Sequence, residues 1–255
     1  MISHALVRPP GASFAQAISS SQAVIDVALA QAQHAEYRQA LAEAGVTVEV
    51  LPPDERYPDS CFMQDPAMVI AGRVIINRPG AASRLGEEEA LVELLASRFP
   101  TTRIVAPGTL EGGDVLILPD QVVVGRSDRT NRAGIAQLVV ALANLSGLPG
   151  LPVLEAPVAG YLHLLSAVTH LGDGTLLAVE DFILPPALAG FPVLRVPAVE
   201  GYACNALGIG DKVIVPAGYP RTAAMLKADG FDVLPVPTTE FAKADGGVTC
   251  LALVW

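Results

Sequence analysis

A thiol, an imidazole and several carboxylates stand at positions that packing alone would not favour. Cys250 follows Asp245-Gly246-Gly247-Val248-Thr249 and leads into the apolar run Leu251-Ala252-Leu253-Val254-Trp255. Glycines ahead of a sulfur leave open space beside it and let backbone approach a ligand closely. His163 lies in the apolar run Leu162-His163-Leu164. Carboxylates fall in loop-like segments: Asp59 in Pro58-Asp59-Ser60, Asp65 in Gln64-Asp65-Pro66, Glu111 and Asp114 in Glu111-Gly112-Gly113-Asp114. A thiol with a proton-transfer partner is the core of a cysteine nucleophile. Clustered acids are costly to bury unless a cation neutralises them. A metal fits that cation poorly, because one usable histidine and hard carboxylates beside a soft thiol match no common zinc geometry. A guanidinium fits better, since carboxylates hold it through planar N–H pairs.

These residues must be positioned by regular elements, and the chain shows a repeat. Four segments share one shape, an apolar run, a tight turn and a second apolar run: residues 66–77, 114–125, 167–178 and 205–216. Each reads as a β-hairpin with Gly, Pro or Asp at the turn. A fifth is split: the strand expected over Val248 to Val254 has no hairpin partner after it, and His4 to Arg8 is its candidate. Helices are expected over Glu87 to Ala96, Asn131 to Leu145 and Pro220 to Lys227, with short strands at Thr47 to Leu51 and Phe231 to Pro235. The period is about 40–50 residues, as in propeller-like arrays. The fold expected is an α/β, five-unit pseudo-symmetric propeller, one closed domain over residues 1–255 in which joining the first and last strands removes sheet edges. An open α/β sheet is the simpler alternative. In the ring, the polar clusters all fall at the same end of the hairpins and would meet at one mouth.

Several residues have ordinary readings. Cys61 and Cys204 are expected in the core or lining a pocket. Of the 4 histidines, His34 falls in a Gln/Ala-rich helical stretch and is expected to be solvated, His4 lies on a terminal strand, and His170 on a hairpin surface. Arg84 and Arg129 lie just beyond the first two hairpins, as surface residues or as a grip on a substrate carboxylate.

Composition narrows the partners. Of 255 residues, 51% are hydrophobic and the formal net charge is −10, which argues against nucleic acid. No apolar run approaches the ~18–20 residues that span a bilayer. The opening segment is broken too early by Arg8, Pro9 and Pro10 for a secretory leader. An odd cysteine count without Cys-x-x-Cys argues against a disulfide framework and fits a cytoplasmic location. The oligomeric state is open, with a homodimer among the options.

Seven segments in order carry a resemblance: Leu51 to Ser60, Asp65-Pro66, Arg78-Pro79-Gly80-Ala81, Glu111 to Asp114, Leu162-His163-Leu164, Pro216 to Arg221, and Asp245 to Cys250. Together they resemble bacterial dimethylarginine dimethylaminohydrolase, of the guanidino-modifying pentein group, whose fold is a five-unit α/β propeller. The resemblance implies that Cys250 is the nucleophile, His163 the general acid/base and Glu111 the acid that orients it. It implies that Asp59 and Asp65 bind the guanidinium, and that Arg84 and Arg129 lie near the substrate α-carboxylate. It places Ile18 and the backbone from Ala244 to Gly247 along the pocket. It implies a small cationic guanidino substrate, citrulline and an alkylamine as products, and no cofactor or metal. Two departures bear on substrate choice: Gln64 stands where relatives carry an acid, and Leu165 where a lysine is common. Two other readings remain, a deiminase acting on free arginine or another guanidino compound, and a non-catalytic binding protein of the same fold group.

Overall fold

The computed structural model describes residues 2–143 and 150–255. Among them run fifteen strands. In chain order they are β1 (His4–Val7), β2 (Thr47–Val50), β3 (Ala67–Ile70), β4 (Arg73–Ile76), β5 (Thr101–Arg103), β6 (Val115–Ile117), β7 (Val122–Arg126) and β8 (Val153–Pro157). There follow β9 (Val168–His170), β10 (Leu176–Val179), β11 (Val193–Val196), β12 (Leu207–Ile209), β13 (Lys212–Pro216), β14 (Asp232–Val236) and β15 (Ala252–Val254). They form five three-stranded sheets in a mixed α/β arrangement.

Every sheet has one topology. An antiparallel pair is joined by a parallel third strand: β3-β4-β5, β6-β7-β8, β9-β10-β11 and β12-β13-β14. All four hairpins expected from the sequence are present. The split fifth also forms: β15 pairs antiparallel with β1, with Leu6 opposite Leu253, and β2 adds in parallel. Local chemistry explains the turns. Ala71 and Gly72 between β3 and β4 have φ of 49° and 73°, two left-handed residues whose twist matches a tight hairpin.

Helix α1 (Val27–Glu43) starts where the Asp26 side chain accepts from the Leu29 amide at 3.0 Å. Helix α2 covers Glu89–Ala96 and α3 covers Arg132–Ala143. The rest of the helix expected to Leu145 lies outside the described residues. Helix α4 (Pro220–Ala228) opens on a proline, which supplies a fixed φ where no N–H is needed. Its first amides, of Arg221 and Thr222, are taken by the buried carboxylate of the distant Glu200. The short α5 spans Thr239–Lys243.

Contacts group the chain into two units. The first holds residues 1–63, 166–182 and 191–255; the second holds residues 64–165 and 183–190. Phe14, Phe62 and Phe241 pack together in the first core, with Leu41, Ile214 and Leu251. Ile75, Val122, Val124, Leu138 and Leu142 fill the second.

One expectation fails here. His34 is fully buried on the inner face of α1, beside Tyr37 and Phe241, rather than solvated. Neither ring nitrogen has a hydrogen-bond partner among the described residues. Burial, helped by the Arg38 charge, pulls its pKa down to about 3. The folded protein therefore holds this imidazole neutral, while the unfolded chain takes up a proton as pH falls below the ordinary histidine value. Stability from this residue is present above that value and declines as pH falls, at about 1.4 kcal/mol per pH unit until the folded form also titrates. His34→Phe should shift the acid unfolding midpoint to lower pH, read by circular dichroism during acid titration; an unchanged midpoint would refute this account.

Candidate active site

The second unit brings His163, Glu111, Asp65, Arg84 and Arg129 into one buried cluster. His163 follows β8 and precedes the 3-10 turn Leu164–Ser166. Its Nε2 lies 2.8 Å from Glu111 Oε2. Glu111 is fully buried, and its Oε1 accepts from the Gly80 and Ala81 amides at 2.9 and 3.3 Å, with Arg129 Nη1 at 3.6 Å. Asp65 Oδ1 accepts from the Gly113 amide at 3.0 Å, and Oδ2 takes Arg84 Nη1 at 2.6 Å. Asp114 Oδ1 accepts from the Leu164 amide at 3.0 Å and Oδ2 from the Ser127 hydroxyl at 2.6 Å. This carboxylate fixes the backbone next to His163.

The two glycines between Glu111 and Asp114 have a steric cause. A Cβ on Gly112 would stand 2.0 Å from the Gln64 carbonyl, and one on Gly113 would stand 2.6 Å from His163 Nδ1. Gly113→Ala must therefore displace the imidazole from Glu111. The expected result is a loss of turnover of about 100-fold, the scale of a misplaced reacting group, with a small shift in melting temperature. Wild-type turnover in that variant would show that the imidazole need not sit where the structure puts it.

Electrostatics follow from this packing. Burial alone would lower the His163 pKa. The Asp65 charge, the Glu111 hydrogen bond and the Asp114 and Glu111 charges outweigh burial and raise it to about 9. Burial would likewise raise Glu111, but its hydrogen bond and charge pairing with His163, then Arg84 and Arg129, hold it below the usual carboxylate range. Burial pushes Asp114 up. At neutral pH the pair is an imidazolium on a carboxylate, a proton donor ready for use. Ligand atoms of Asp65, Glu111 and His163 lie within 4.8 Å of one another, close enough to share one cation. His163 and Arg84 already bond two of these carboxylates, Glu111 and Asp65.

Arg84 is the residue whose placement departs most from expectation. It ends the 3-10 turn Ala82–Arg84 and is buried, not on the surface. Its Nε and Nη2 go to the two Glu87 oxygens at 2.7 and 3.1 Å while Nη1 goes to Asp65. The guanidinium fork is engaged with protein carboxylates. Arg129 is half-buried. Gln64 is also half-buried, next to Asp65.

The first unit holds Cys250, Asp59, Ile18 and Ala244. Cys250 sits in the 3-10 turn Thr249–Leu251, immediately before β15, so the strand expected from Val248 begins only at Ala252. The Gly247 N–H donates to Cys250 Sγ at 3.3 Å. The glycines ahead of it do not leave open space. A Cβ on Gly246 would strike the Phe62 ring at 2.2 Å, and one on Gly247 the Asn205 amide at 2.5 Å. Asp59 is buried and accepts from the Ile18 amide at 3.2 Å. The following residue but one, Ser20, gives its amide and hydroxyl to Asp245, each at 2.6 Å. Ala244 is buried at the end of α5. Cys61 and Cys204 are core, as expected, and burial pushes the Cys204 thiol up to about 12.

The sequence reading assigned no role to Asn205, Asp114 or Glu87. The available signal for the first two was their place, each next to a hairpin with the other polar clusters.

Comparison with known proteins places this arrangement. The family profile described as N,N dimethylarginine dimethylhydrolase, eukaryotic, matches residues 11–164. The N(G),N(G)-dimethylarginine dimethylaminohydrolase of Pseudomonas aeruginosa is 39% identical over 99% of both chains. A cysteine-to-serine variant of the Pseudomonas aeruginosa enzyme, complexed with citrulline, superposes with a TM-score of 0.95 at 37% identity, covering 100% of both chains. A histidine-to-glycine variant of a dimethylarginine dimethylaminohydrolase, an adduct with S-methyl-L-thiocitrulline, gives the same TM-score, identity and coverage. The five-sheet fold is thus the pentein fold of these enzymes. This chain belongs to the dimethylarginine dimethylaminohydrolase family, hydrolases that act on the C–N bonds of linear amidines.

Proposed function

We propose that this protein hydrolyses Nω-methylated arginine, dimethylarginine or monomethylarginine, to citrulline and dimethylamine or methylamine. The observation that carries the reading is the buried Glu111–His163 pair, with Nε2 at 2.8 Å from Oε2, in a chain of this family. The citrulline and thiocitrulline complexes of the relatives support the same chemistry.

Cys250 attacks the guanidinium carbon as thiolate, the reactive form of the thiol. A C–S bond forms. His163 gives a proton from the nitrogen not bonded to Glu111 to the departing amine, and the C–N bond breaks. A thiouronium-type adduct on Cys250 remains. Neutral His163 then takes a proton from water, and the hydroxide adds to the same carbon. The C–S bond breaks, thiolate returns, the remaining O–H proton passes through solvent to the released amine, and neutral citrulline leaves. A nucleophile and one proton carrier close this cycle without cofactor or metal.

Asp59 and Asp65 hold the guanidinium; each Asp65 oxygen that accepts one bond retains a second acceptor position. Arg129 receives the substrate carboxylate, while Arg84 serves by fixing Asp65. Gln64 adds an uncharged amide beside them, and Ile18 and Ala244 contribute to the lining. Residues 1–255 act as a single catalytic domain. No helix of the described residues is long and apolar enough to cross a membrane. An odd count of cysteines, three, suits a reducing cytoplasm.

Product analysis tests the reading. With dimethylarginine, monomethylarginine and arginine supplied separately, citrulline should accompany dimethylamine and methylamine at rates well above ammonia release from arginine. Ammonia release from arginine as the dominant reaction would replace this reading with a deiminase.

A further inference from the structure

We propose that Asn205 is a positioning residue for the Cys250 thiol, acting through a two-bond clamp on Thr249. The inference rests on the reading of Cys250 as nucleophile. Asn205 and Thr249 are both buried. Asn205 Oδ1 accepts from the Thr249 amide at 2.8 Å, and Asn205 Nδ2 donates to Thr249 Oγ1 at 3.0 Å. The clamp therefore grips backbone and side chain of the residue that precedes the sulfur. The same amide fills the space that a side chain at residue 247 would need. Gly247 in turn donates its N–H to Sγ and accepts from the Cys250 amide at 3.1 Å. One side chain thus touches both residues that set the direction of the thiol.

A second support comes from Tyr202, whose hydroxyl donates to the Gly246 carbonyl at 2.8 Å. The peptide unit between Gly246 and Gly247 is thereby fixed from its carbonyl side, and its N–H faces sulfur. A buried primary amide costs free energy unless its groups are satisfied, so a core site would favour an apolar residue of similar volume. Asn205 instead uses both ends of its amide on this turn. An N–H aimed at sulfur stabilises the charged thiolate more than the neutral thiol. Tyr202 and Tyr37 are the titratable neighbours in this unit that feel the Cys250 charge; both hydroxyls are pushed up, by burial first and by that charge after it. Both stay neutral across the working range.

The test compares Asn205→Ala, Thr249→Val and Thr249→Ser in the full chain. Turnover of dimethylarginine is read as kcat and KM. Alkylation of the Cys250 peptide by iodoacetamide is followed by mass spectrometry across pH. Asn205→Ala should lower kcat by about 100-fold with KM nearly unchanged, the scale of a misaligned reacting group. Its alkylation profile should move to higher pH. Thr249→Val, which keeps the backbone bond but removes the hydroxyl, should lower kcat by a smaller factor, and Thr249→Ser should recover what valine loses. If Asn205→Ala does not fold, the valine and serine pair decides. Wild-type kcat and alkylation in Asn205→Ala, or equal activity of Thr249→Val and Thr249→Ser, overturns the proposal. Failure of the underlying reading looks different: Cys250→Ala would then retain turnover.

Discussion

Cys250→Ala should abolish hydrolysis of dimethylarginine, by about 10⁴-fold or more, and leave the fold in place. Nucleophile removal has this size because the covalent route is lost outright, while binding and electrostatic contributions survive. The alanine variant loses the Gly247 N–H bond to Sγ but keeps the rest of the turn: Cys250 donates its amide to the Gly247 carbonyl, and β15 is held by β1. Removing one buried sulfur should cost about 1 kcal/mol, within the ordinary range for a point substitution. The measurement is steady-state citrulline formation beside thermal unfolding. Acid-quenched wild-type enzyme should in addition carry a mass increment on the Cys250 peptide that the alanine variant lacks. Turnover near wild type in the alanine variant would remove the covalent scheme.

Glu111→Gln is the second large effect, and its sign can be worked out. The groups around the imidazole are the carboxylates of Asp65, Glu111 and Asp114, with Arg84 and Arg129 beside Glu111. Glutamine removes one negative charge and the charge-assisted hydrogen bond but leaves burial, which disfavours the imidazolium. The His163 pKa should fall from about 9 toward or below the ordinary histidine value. Protonation of the leaving amine requires the imidazolium. The alkaline limb of the pH–rate profile should therefore move to lower pH, and kcat at neutral pH should drop by about 10²–10⁴-fold, the usual contribution of a positioned acid. Stability moves the same way. His163 stabilises the fold below its unfolded pKa and loses that contribution as pH rises through about 9. The variant should have less of this contribution to lose on the alkaline side. An alkaline limb that stays in place would show that Glu111 neither charges nor orients His163.

The hairpins were legible because their information is local. Short apolar runs on either side of turn residues such as Gly72 and Gly210 specify an antiparallel pair without reference to the rest of the chain. The pairing of the two end strands was legible as a remainder, one strand at each end without a partner. His34 was not legible, since Ala, Gln and Glu neighbours read as an exposed helix face, and only the aromatic rings of Tyr37 and Phe241 reveal that it points inward. The glycines ahead of Cys250 were noticed but given the wrong cause, and those after Glu111 were given none. Gly113 and Gly247 make room for His163 and Asn205, which lie far away in sequence. Arg84 shows the same limit: nothing in its neighbourhood announces that Asp65, 19 positions earlier, takes its charge. Residue types and order carry the candidate chemistry, whereas the partners that orient each group come from long-range packing.

The β1–β15 ladder has a consequence for the order of assembly. Four sheets draw their strands from neighbouring stretches, so their chain segments meet cheaply. The sheet pairing Ala5 with Val254 must close nearly the whole polypeptide, and loop-closure entropy delays such contacts. The turn carrying the sulfur runs directly into β15. Reactivity is therefore expected to arise at the end of folding, so that a half-formed chain presents an ordinary, untuned thiol.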